Sequence, residues 1–234
     1  MVRGALTASR LDPRLVPVAL GLLGRRDVYP AALAALREIA DEAVGPLSAA
    51  LRDPAQPAVV RRRIPRVLES ASSPEAVLAL EAALGDERFE VRYRAALALA
   101  RIQARERGGV APSAEVVLDA LGKELEREVM PLGEDDTGVI DAGERRIEHV
   151  FTLLSLAFDP EPVRLALHAI RGSDATLRGT ALEYLENVLP EELRAGLWAL
   201  LDARPAGHPR RSRAELTEAL TAGDRVSAEP ARES

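Results

Sequence analysis

The sequence predicts an all-α protein built from repeated helix pairs, and three observations lead to that fold class. The same apolar stripe of a helix occurs in two segments that lie 63 residues apart. A whole helix-turn-helix unit recurs after 86 residues. Aromatic residues make up 3% of the chain against 47% hydrophobic residues, so alanine and leucine supply the core, as closely packed helices require.

The clearest repeated element is the helix expected within 85–102, which follows a Gly-Asp turn. Its apolar stripe is Val91, Ala95, Ala98, Leu99 and Ile102, and the matching earlier stripe is Val28, Ala32, Ala35, Leu36 and Ile39. Because the offset equals two periods of about 31 residues, a further copy is expected between them. That copy places Arg61 and Leu68 at the matching positions, and Pro65 interrupts its helix.

Proline marks where three of the first helices of these pairs begin. The dipeptides are Asp12-Pro13, Ser73-Pro74 and Asp159-Pro160. Asp and Ser favour the N-cap, and proline is tolerated at the first helical position because no N–H is needed there. We therefore expect a capped helix to start at each of these sites.

The second half of the chain continues the pattern after an interruption. The 86-residue offset exceeds two periods by 24 residues, and an acidic, Gly- and Pro-containing segment at 129–143 accounts for the excess as an inserted loop. We expect residues 1–204 to form one repeat domain. Residues 205–234 change to a polar composition and are expected to be a largely disordered tail, with an isolated helix at Arg213 to Leu220.

Composition bounds the functional class. The chain has no cysteine, which removes disulfides, thiol catalysis and cysteine-ligated metals. Its longest apolar run, at 15–24, is shorter than the roughly 20 residues of a membrane span. The N-terminal residues do not resemble a signal peptide. We expect a cytoplasmic protein, and the preference for arginine and alanine, with Lys123 as the single lysine, is typical of a GC-rich bacterial genome.

The second-helix pattern resembles the HEAT repeat family over about residues 12–201. The residues that carry the resemblance are Asp86, Val91, Arg92, Ala95, Ala98 and Leu99. The resemblance implies a right-handed α-solenoid, or α-α superhelix, of about five to six helix pairs, with the second helices lining a concave, armadillo-like surface. A weaker resemblance, in 62–68 and 151–156, is to the HEAT segment attached to bacterial ATP/ADP-carrier-like proteins, which implies a regulatory domain of a nucleotide carrier.

Arginines off the buried stripe of the second helices form the candidate binding site. Helical spacing places them on one strip, suited to an acidic peptide, a protein partner or phosphates. The alternative is a solvated face neutralised by Glu69, Glu87 and Glu90. A different role is expected for Arg92, which would form a structural turn pair with Asp86. The predicted strip consists of Arg62, Arg66, Tyr93, Arg94 and Arg101.

No catalytic, metal or cofactor motif is found. The histidines His149, His168 and His208 are scattered, the acidic segment lacks the calcium-loop spacing, and no Gly-rich phosphate loop occurs. We therefore expect a non-enzymatic scaffold that binds a protein, with no cofactor. The alternative is a nucleic-acid-binding stack like that of the HEAT-like DNA glycosylases, against which the net charge of −6 and the few aromatic residues argue.

Overall fold

The computed structural model describes residues 10–105, 111–127, 142–201 and 213–227, and all regular structure in those ranges is helical. The chain divides into two compact units, Met1–Val117 and Leu118–Ser234. The sequence placed the division after residue 204 instead. The all-α, helical-repeat fold class is confirmed.

Unit 1 consists of three successive helix pairs. It opens with a 3-10 turn at Pro13–Leu15. Its helices are α1 (Val16–Leu22), α2 (Tyr29–Glu38), α3 (Ala40–Arg52), α4 (Ala58–Arg61), α5 (Pro65–Leu68), α6 (Pro74–Ala83) and α7 (Phe89–Arg105). A further helix, α8 (Ala114–Glu126), crosses the division between the units.

The helices of unit 1 form two layers. The first helices α1, α3 and α6 contact one another in that order, and so do the second helices α2, α5 and α7. Within the pairs, α1 packs on α2, α3 on α5, and α6 on α7. Each pair therefore buries its apolar faces against its own partner and against the neighbouring pair, as repeat proteins do.

The predicted stripes are the core of unit 1. Leu36, Leu68 and Leu99, which occupy equivalent positions in the three second helices, are each 0% exposed. All other members of the two stripes are buried as well. The helical period of apolar residues thus identified the packing face correctly.

Pro65 divides the second helix of the middle pair. The helix is reduced to the two short pieces α4 and α5, with a turn at 62–64 between them. Proline has no N–H to donate, and its ring disfavours helical continuation from the preceding residues. The Ile64 N–H donates to the Val60 carbonyl at 3.2 Å, which keeps the turn tight.

The three predicted helix starts are correct in position, but only two are capped by a side chain. Asp12 accepts a hydrogen bond from the Arg14 N–H at 2.9 Å, and Asp159 accepts one from the Glu161 N–H at 3.3 Å. Ser73 has the extended backbone of an N-cap, yet its Oγ is buried without a hydrogen-bond partner in the described structure. Its helix, α6, begins at Pro74 regardless, because Pro74 is already preorganised for the first helical position.

Unit 2 contains the end of α8 and five further helices. They are α9 (Ala142–Ala157), α10 (Pro160–Arg171), α11 (Ala175–Val188), α12 (Glu191–Leu201) and α13 (Arg213–Ser227). α10 packs on both α9 and α11. Ala181 and Leu185 on α11, which match Ala95 and Leu99 after 86 residues, are 0% exposed.

The expectation of a largely disordered tail with an isolated helix is wrong for 213–227. α13 packs on α10 and α11, and its Leu216 and Leu220 are buried. These two leucines lie one helical turn apart, so they form one apolar face that gains stability by covering α10 and α11. The rest of the predicted tail lies outside the described residues, as does all but the last two residues of the predicted insertion at 129–143.

Leu99→Ala should lower the free energy of unfolding by about 2–5 kcal/mol, because it leaves a cavity where three helices meet. Urea unfolding followed by circular dichroism measures this change. Leu78→Ala, on α6, is the matched control: Leu78 is 62% exposed, so its truncation should cost less than about 0.5 kcal/mol. Equal losses for the two variants would contradict the assigned packing face.

Unit 2 should lose stability at alkaline pH through Tyr184 on α11. Burial raises the pKa of the Tyr184 hydroxyl above its usual value of 10.0, although Arg213 acts in the opposite direction. The folded state therefore holds this proton more tightly than the unfolded state. The resulting stability is present below pH 10 and is lost as the pH rises through the folded-state pKa.

Tyr184→Phe removes the titrating group and tests that assignment. Melting temperatures measured from pH 8 to pH 11 should fall less steeply for this variant than for the wild type. Tyr29→Phe, in unit 1, is the control and should leave the alkaline slope of unit 2 unchanged. A Tyr184→Phe variant with the wild-type slope would exclude Tyr184 as the group responsible.

Candidate functional site

In three helix pairs, an arginine near the start of the second helix donates to carbonyls at the end of the first helix or in the turn between the two helices. Arg61 Nε donates to the Leu51 carbonyl at 2.9 Å, and Arg178 Nη1 donates to the Ile170 carbonyl at 2.7 Å. Arg92 Nη1 donates to the carbonyls of Asp86 and Glu87, each at 2.9 Å. Carbonyls at helix ends and in turns lack helical partners, and a cation at a helix C-terminus also interacts favourably with the helix dipole.

The carboxylate of Asp86 has a different ion-pair partner from the one expected. It binds the guanidinium of Arg61, from the preceding repeat, and its other oxygen accepts a hydrogen bond from the Arg88 N–H at 2.9 Å. Arg92 reaches Asp86 through the backbone carbonyl. The Asp86–Arg61 ion pair therefore links two consecutive repeats, whereas the sequence had suggested a pair within one turn.

The first repeat uses another arrangement at the same place. The position equivalent to Arg92 is occupied by Tyr29. Arg63, from the following repeat, lies over the Tyr29 ring, 3.8 Å from its centroid, and donates to the Leu23 carbonyl at the end of α1. In the first repeat, the carbonyl at the end of the first helix therefore accepts a hydrogen bond from an arginine of the following repeat. In the second repeat, the equivalent donor is Arg61, which belongs to the same repeat.

Glu69 is the centre of an ion-pair network that joins all three second helices. Its side chain is 8% exposed, one oxygen binds Arg37 of α2, and the other accepts from Arg101 Nη1 at 2.6 Å. Arg105 Nη1 donates to the Glu69 carbonyl, and its Nη2 donates to the Ala71 carbonyl, each at 2.9 Å. Arg101 was expected to be part of an open basic strip. Arg101 is in fact paired with a buried carboxylate, which compensates part of the positive charge here.

Tyr93 is not available as a contact residue on the strip. It is 6% exposed and stacks on Phe89 with ring centroids 5.8 Å apart. The reason is that α7 packs against both α5 and α6, so its buried arc is wider than a single stripe. Arg94 is half-buried, and its guanidinium lies 5.4 Å from the centroid of the Tyr93 ring.

Arg62, Arg63 and Arg66 lie in or next to the turn at 62–64, and Arg26 of the α1–α2 turn is near enough for its charge to act on Arg63. We call these four residues the arginine cluster. Burial lowers the pKa of Arg63, and the positive charges of Arg62, Arg66 and Arg26 lower it further, while Tyr29 acts in the opposite direction. Arg26, Arg62 and Arg66 make no ion pair with any carboxylate in the described ranges. Within the described part of the chain, no carboxylate therefore compensates the positive charges of Arg26, Arg62 and Arg66 through an ion pair.

Among the predicted strip residues, Arg101 has a carboxylate partner, and Arg62 and Arg66 make no ion pair with a carboxylate of the described residues. Arg26, Arg37 and Arg105 were not predicted as neighbours of the strip. Arg37 directly follows the stripe residue Leu36, so its position could have been inferred from the sequence. Arg26 lies in the α1–α2 turn, so the helical period of the sequence gives no information about its position relative to the predicted strip.

A second buried polar group lies in unit 2. His149 is 1% exposed, and its Nε2 lies 3.7 Å from Glu124 Oε2, which Arg127 also approaches at 3.3 Å. Arg146 donates to the Glu124 carbonyl at 2.7 Å and so covers the end of α8. Across the described residues, no three metal-ligating side chains converge, so this group offers structural pairing and no metal centre.

Comparison with known families assigns the repeats. Residues 44–129 match the family model described as HEAT repeats. This segment of the chain is similar to HEAT repeats. The match covers the helix pairs α3/α5 and α6/α7, which contain the Asp86–Arg61 link and Glu69. These HEAT repeats therefore include the central part of the candidate site.

No curated protein matches the chain, so the resemblance to the HEAT segment of ATP/ADP-carrier-like proteins stays a prediction from the sequence. None of the helices in the described part of the chain has the length and apolar character needed to cross a membrane.

Arg101→Glu should destabilise unit 1 by about 1–2 kcal/mol, since it removes one ion pair of Glu69 and places a second carboxylate beside it. The estimate is moderate because the Arg101 side chain is 59% exposed and Arg37 remains as a partner. Arg62→Glu, which removes a guanidinium with no ion pair in the described structure, should change stability by less than about 0.5 kcal/mol. Urea unfolding measures the free energy of unfolding of both variants. Equal losses would contradict the distinction between the paired Arg101 of the Glu69 network and the unpaired Arg62 of the arginine cluster.

Proposed function

We propose that this HEAT-repeat chain is a non-enzymatic scaffold that binds an acidic segment of a protein partner. The binding surface is the side of the second helices of unit 1 that faces away from the first helices. We call it the arginine face, and it consists of Arg37, Arg62, Arg66, Arg94 and Arg101. The observation that carries the proposal is the concentration of guanidinium groups at Arg62 and Arg66, without carboxylate partners in the described ranges.

The charge balance of the arginine face supports an anionic partner. Glu69 pairs with both Arg37 and Arg101, and its single negative charge compensates one of their two positive charges. Arg62 and Arg66 have no ion pair with a carboxylate of the described residues, and their positive charges repel the positive charge of Arg63. Mutual repulsion of this kind is relieved when carboxylates of a partner bind, and guanidinium groups favour carboxylates through paired hydrogen bonds.

The charge of the whole chain favours a protein over nucleic acid. The net charge is −6, so the long-range field repels a polyanion such as DNA, and the arginine face is a local exception. A short acidic segment can bind along the arginine face without approaching the negatively charged remainder of the surface. HEAT repeats commonly present such extended surfaces for a partner segment.

A labelled peptide of alternating Glu and Ala tests the proposal by fluorescence anisotropy. It should bind the wild-type chain, and a matched peptide with Gln in place of Glu should not. Because the contacts are electrostatic, affinity should fall as salt rises from about 50 mM to about 200 mM. Arg62→Glu/Arg66→Glu should weaken binding by more than about tenfold, since like charges then face each other.

The matched control is Arg14→Glu/Arg164→Glu, which changes the net charge equally at two exposed positions outside the arginine face. It should retain wild-type affinity. Equal losses in both double variants would show that the peptide senses net charge alone and would contradict a defined surface. Tighter binding of duplex DNA than of the acidic peptide, lost with the Arg62 and Arg66 changes, would favour the nucleic-acid alternative.

A further inference from the structure

α1, the first α-helix that the structure describes, exposes apolar side chains. Leu15, in the turn that leads into α1, is 49% exposed, Val18 is 61% exposed, and Leu22 is half-buried. Their spacing of three and four residues places them on one stripe, beside the buried stripe of the same helix. A helix pair at the end of a repeat array ordinarily has a polar outer surface. The exposed stripe of α1 is therefore unlike a capping surface.

The other first helices show what this stripe corresponds to. The buried residues Val16, Ala19 and Leu23 match buried residues of α3 after 28 residues and of α6 after a further 33. α3 and α6 each contact the preceding first helix, whereas α1 has no such neighbour among the described residues. The exposed stripe therefore corresponds to the side on which α3 and α6 meet another helix. In this register, the positions of Leu15 and Leu22 hold buried alanines in both helices: Ala43 and Ala50 in α3, and Ala76 and Ala83 in α6.

α1 differs from the other two first helices in the sizes of its side chains on this side. Leucine replaces alanine at both leucine positions of the stripe, and Gly21 replaces Ala49 of α3 and Ala82 of α6. A Cβ atom placed on Gly21 would meet no other atom within 4 Å. The surface therefore has a projecting leucine before Val18 and an open position after it.

These features are self-complementary about Val18. Leu15 and Gly21 lie three residues before and after Val18, about 4.5 Å away along the helix axis in opposite directions and about 60° to opposite sides. A two-fold axis that passes through Val18, perpendicular to α1, exchanges these two positions. An antiparallel second copy of α1 therefore places its Leu15 over Gly21, and the two Val18 side chains meet at the axis.

The charges at the ends of α1 agree with the antiparallel orientation. Asp12 precedes the helix and Arg26 follows it in the α1–α2 turn, and neither makes an ion pair within the described residues. The two-fold axis brings the Asp12 end of one copy to the Arg26 end of the other, whereas a parallel pair would bring like ends together. Arg14 is exposed beside the stripe, and its long side chain can cover apolar surface while its guanidinium stays in solvent.

We propose that the exposed stripe of α1 binds a second copy of this chain, in an antiparallel pair of α1 helices across a two-fold axis at Val18. The axis closes the pair, so the product is a dimer that does not grow further. Because one short helix from each copy covers less than the roughly 800 Å² per partner of a stable interface, the dimer exchanges with the monomer. The pairing does not use the arginine face and is independent of the proposed function.

Sedimentation equilibrium of the full chain tests the pairing between about 1 and 200 µM, a range that covers weak complexes. The average mass should rise from that of the monomer toward twice that value. Val18→Glu should weaken association at least about tenfold, because two carboxylates then meet at the axis. Leu78→Glu is the matched control, since Leu78 is 62% exposed on α6 and lies outside the stripe, and this variant should associate as the wild type does.

Cysteine cross-linking tests the orientation, and the chain has no cysteine of its own. Under mild oxidation, Val18→Cys should form a disulfide between two copies, because residues at the axis face each other at the short Cβ distance that a disulfide requires. Leu78→Cys should give only background cross-linking. A mixture of Leu15→Cys and Gly21→Cys chains should cross-link more than either chain alone, since only an antiparallel pair brings these two positions together.

Each of the following results would overturn the inference. A wild type that stays monomeric over the whole range would exclude the pair, including the case in which Val18→Glu lowers the melting temperature because another segment of the chain covers the stripe. Equal association of Val18→Glu and Leu78→Glu would place any contact between copies elsewhere. Masses above that of a dimer would contradict a closed two-fold axis, and preferential cross-linking of Leu15→Cys to itself would contradict the antiparallel orientation.

Discussion

The repeat stack depends on arginines that satisfy carbonyl groups at the ends of helices and in turns. A first helix ends next to a tight turn, where several carbonyls have no intrahelical partner, and leaving them buried and unpaired would be costly. Arg61, Arg92 and Arg178 each meet such carbonyls from the start of the following helix. Apolar stripes bring the two helices of a pair together, and these hydrogen bonds fix the register in which they meet.

The fold was predictable because its main signal is periodic. Stripe residues such as Leu36 and Leu99 must repeat wherever a pair packs on its neighbour, and the sequence shows that repetition directly. The helix of 213–227 was harder to interpret, since its two buried leucines lie in a polar segment, and only the surface they cover shows that the helix packs. The composition of a segment indicates whether it is polar or apolar, but it does not show which other helices the segment packs against.

The site was predictable only in part, for a related reason. The helical period places Arg62, Arg66 and Arg101 off the buried stripe, but it carries no information about which carboxylate each one meets. Arg101 is paired because Glu69 is buried between repeats, and Tyr93 is buried because its helix has two neighbours. These are properties of contacts between repeats, whereas the sequence pattern describes one repeat at a time.

The exchange at Tyr29 has a consequence for how unit 1 comes apart. In the pairs α3/α5 and α10/α11, an arginine that belongs to the same pair donates to the carbonyl at the end of the first helix. The first repeat borrows Arg63 from the second, so opening the second repeat also removes the partner of the Leu23 carbonyl and of the Tyr29 ring. We therefore expect loss of structure in the second repeat to destabilise the first repeat as well.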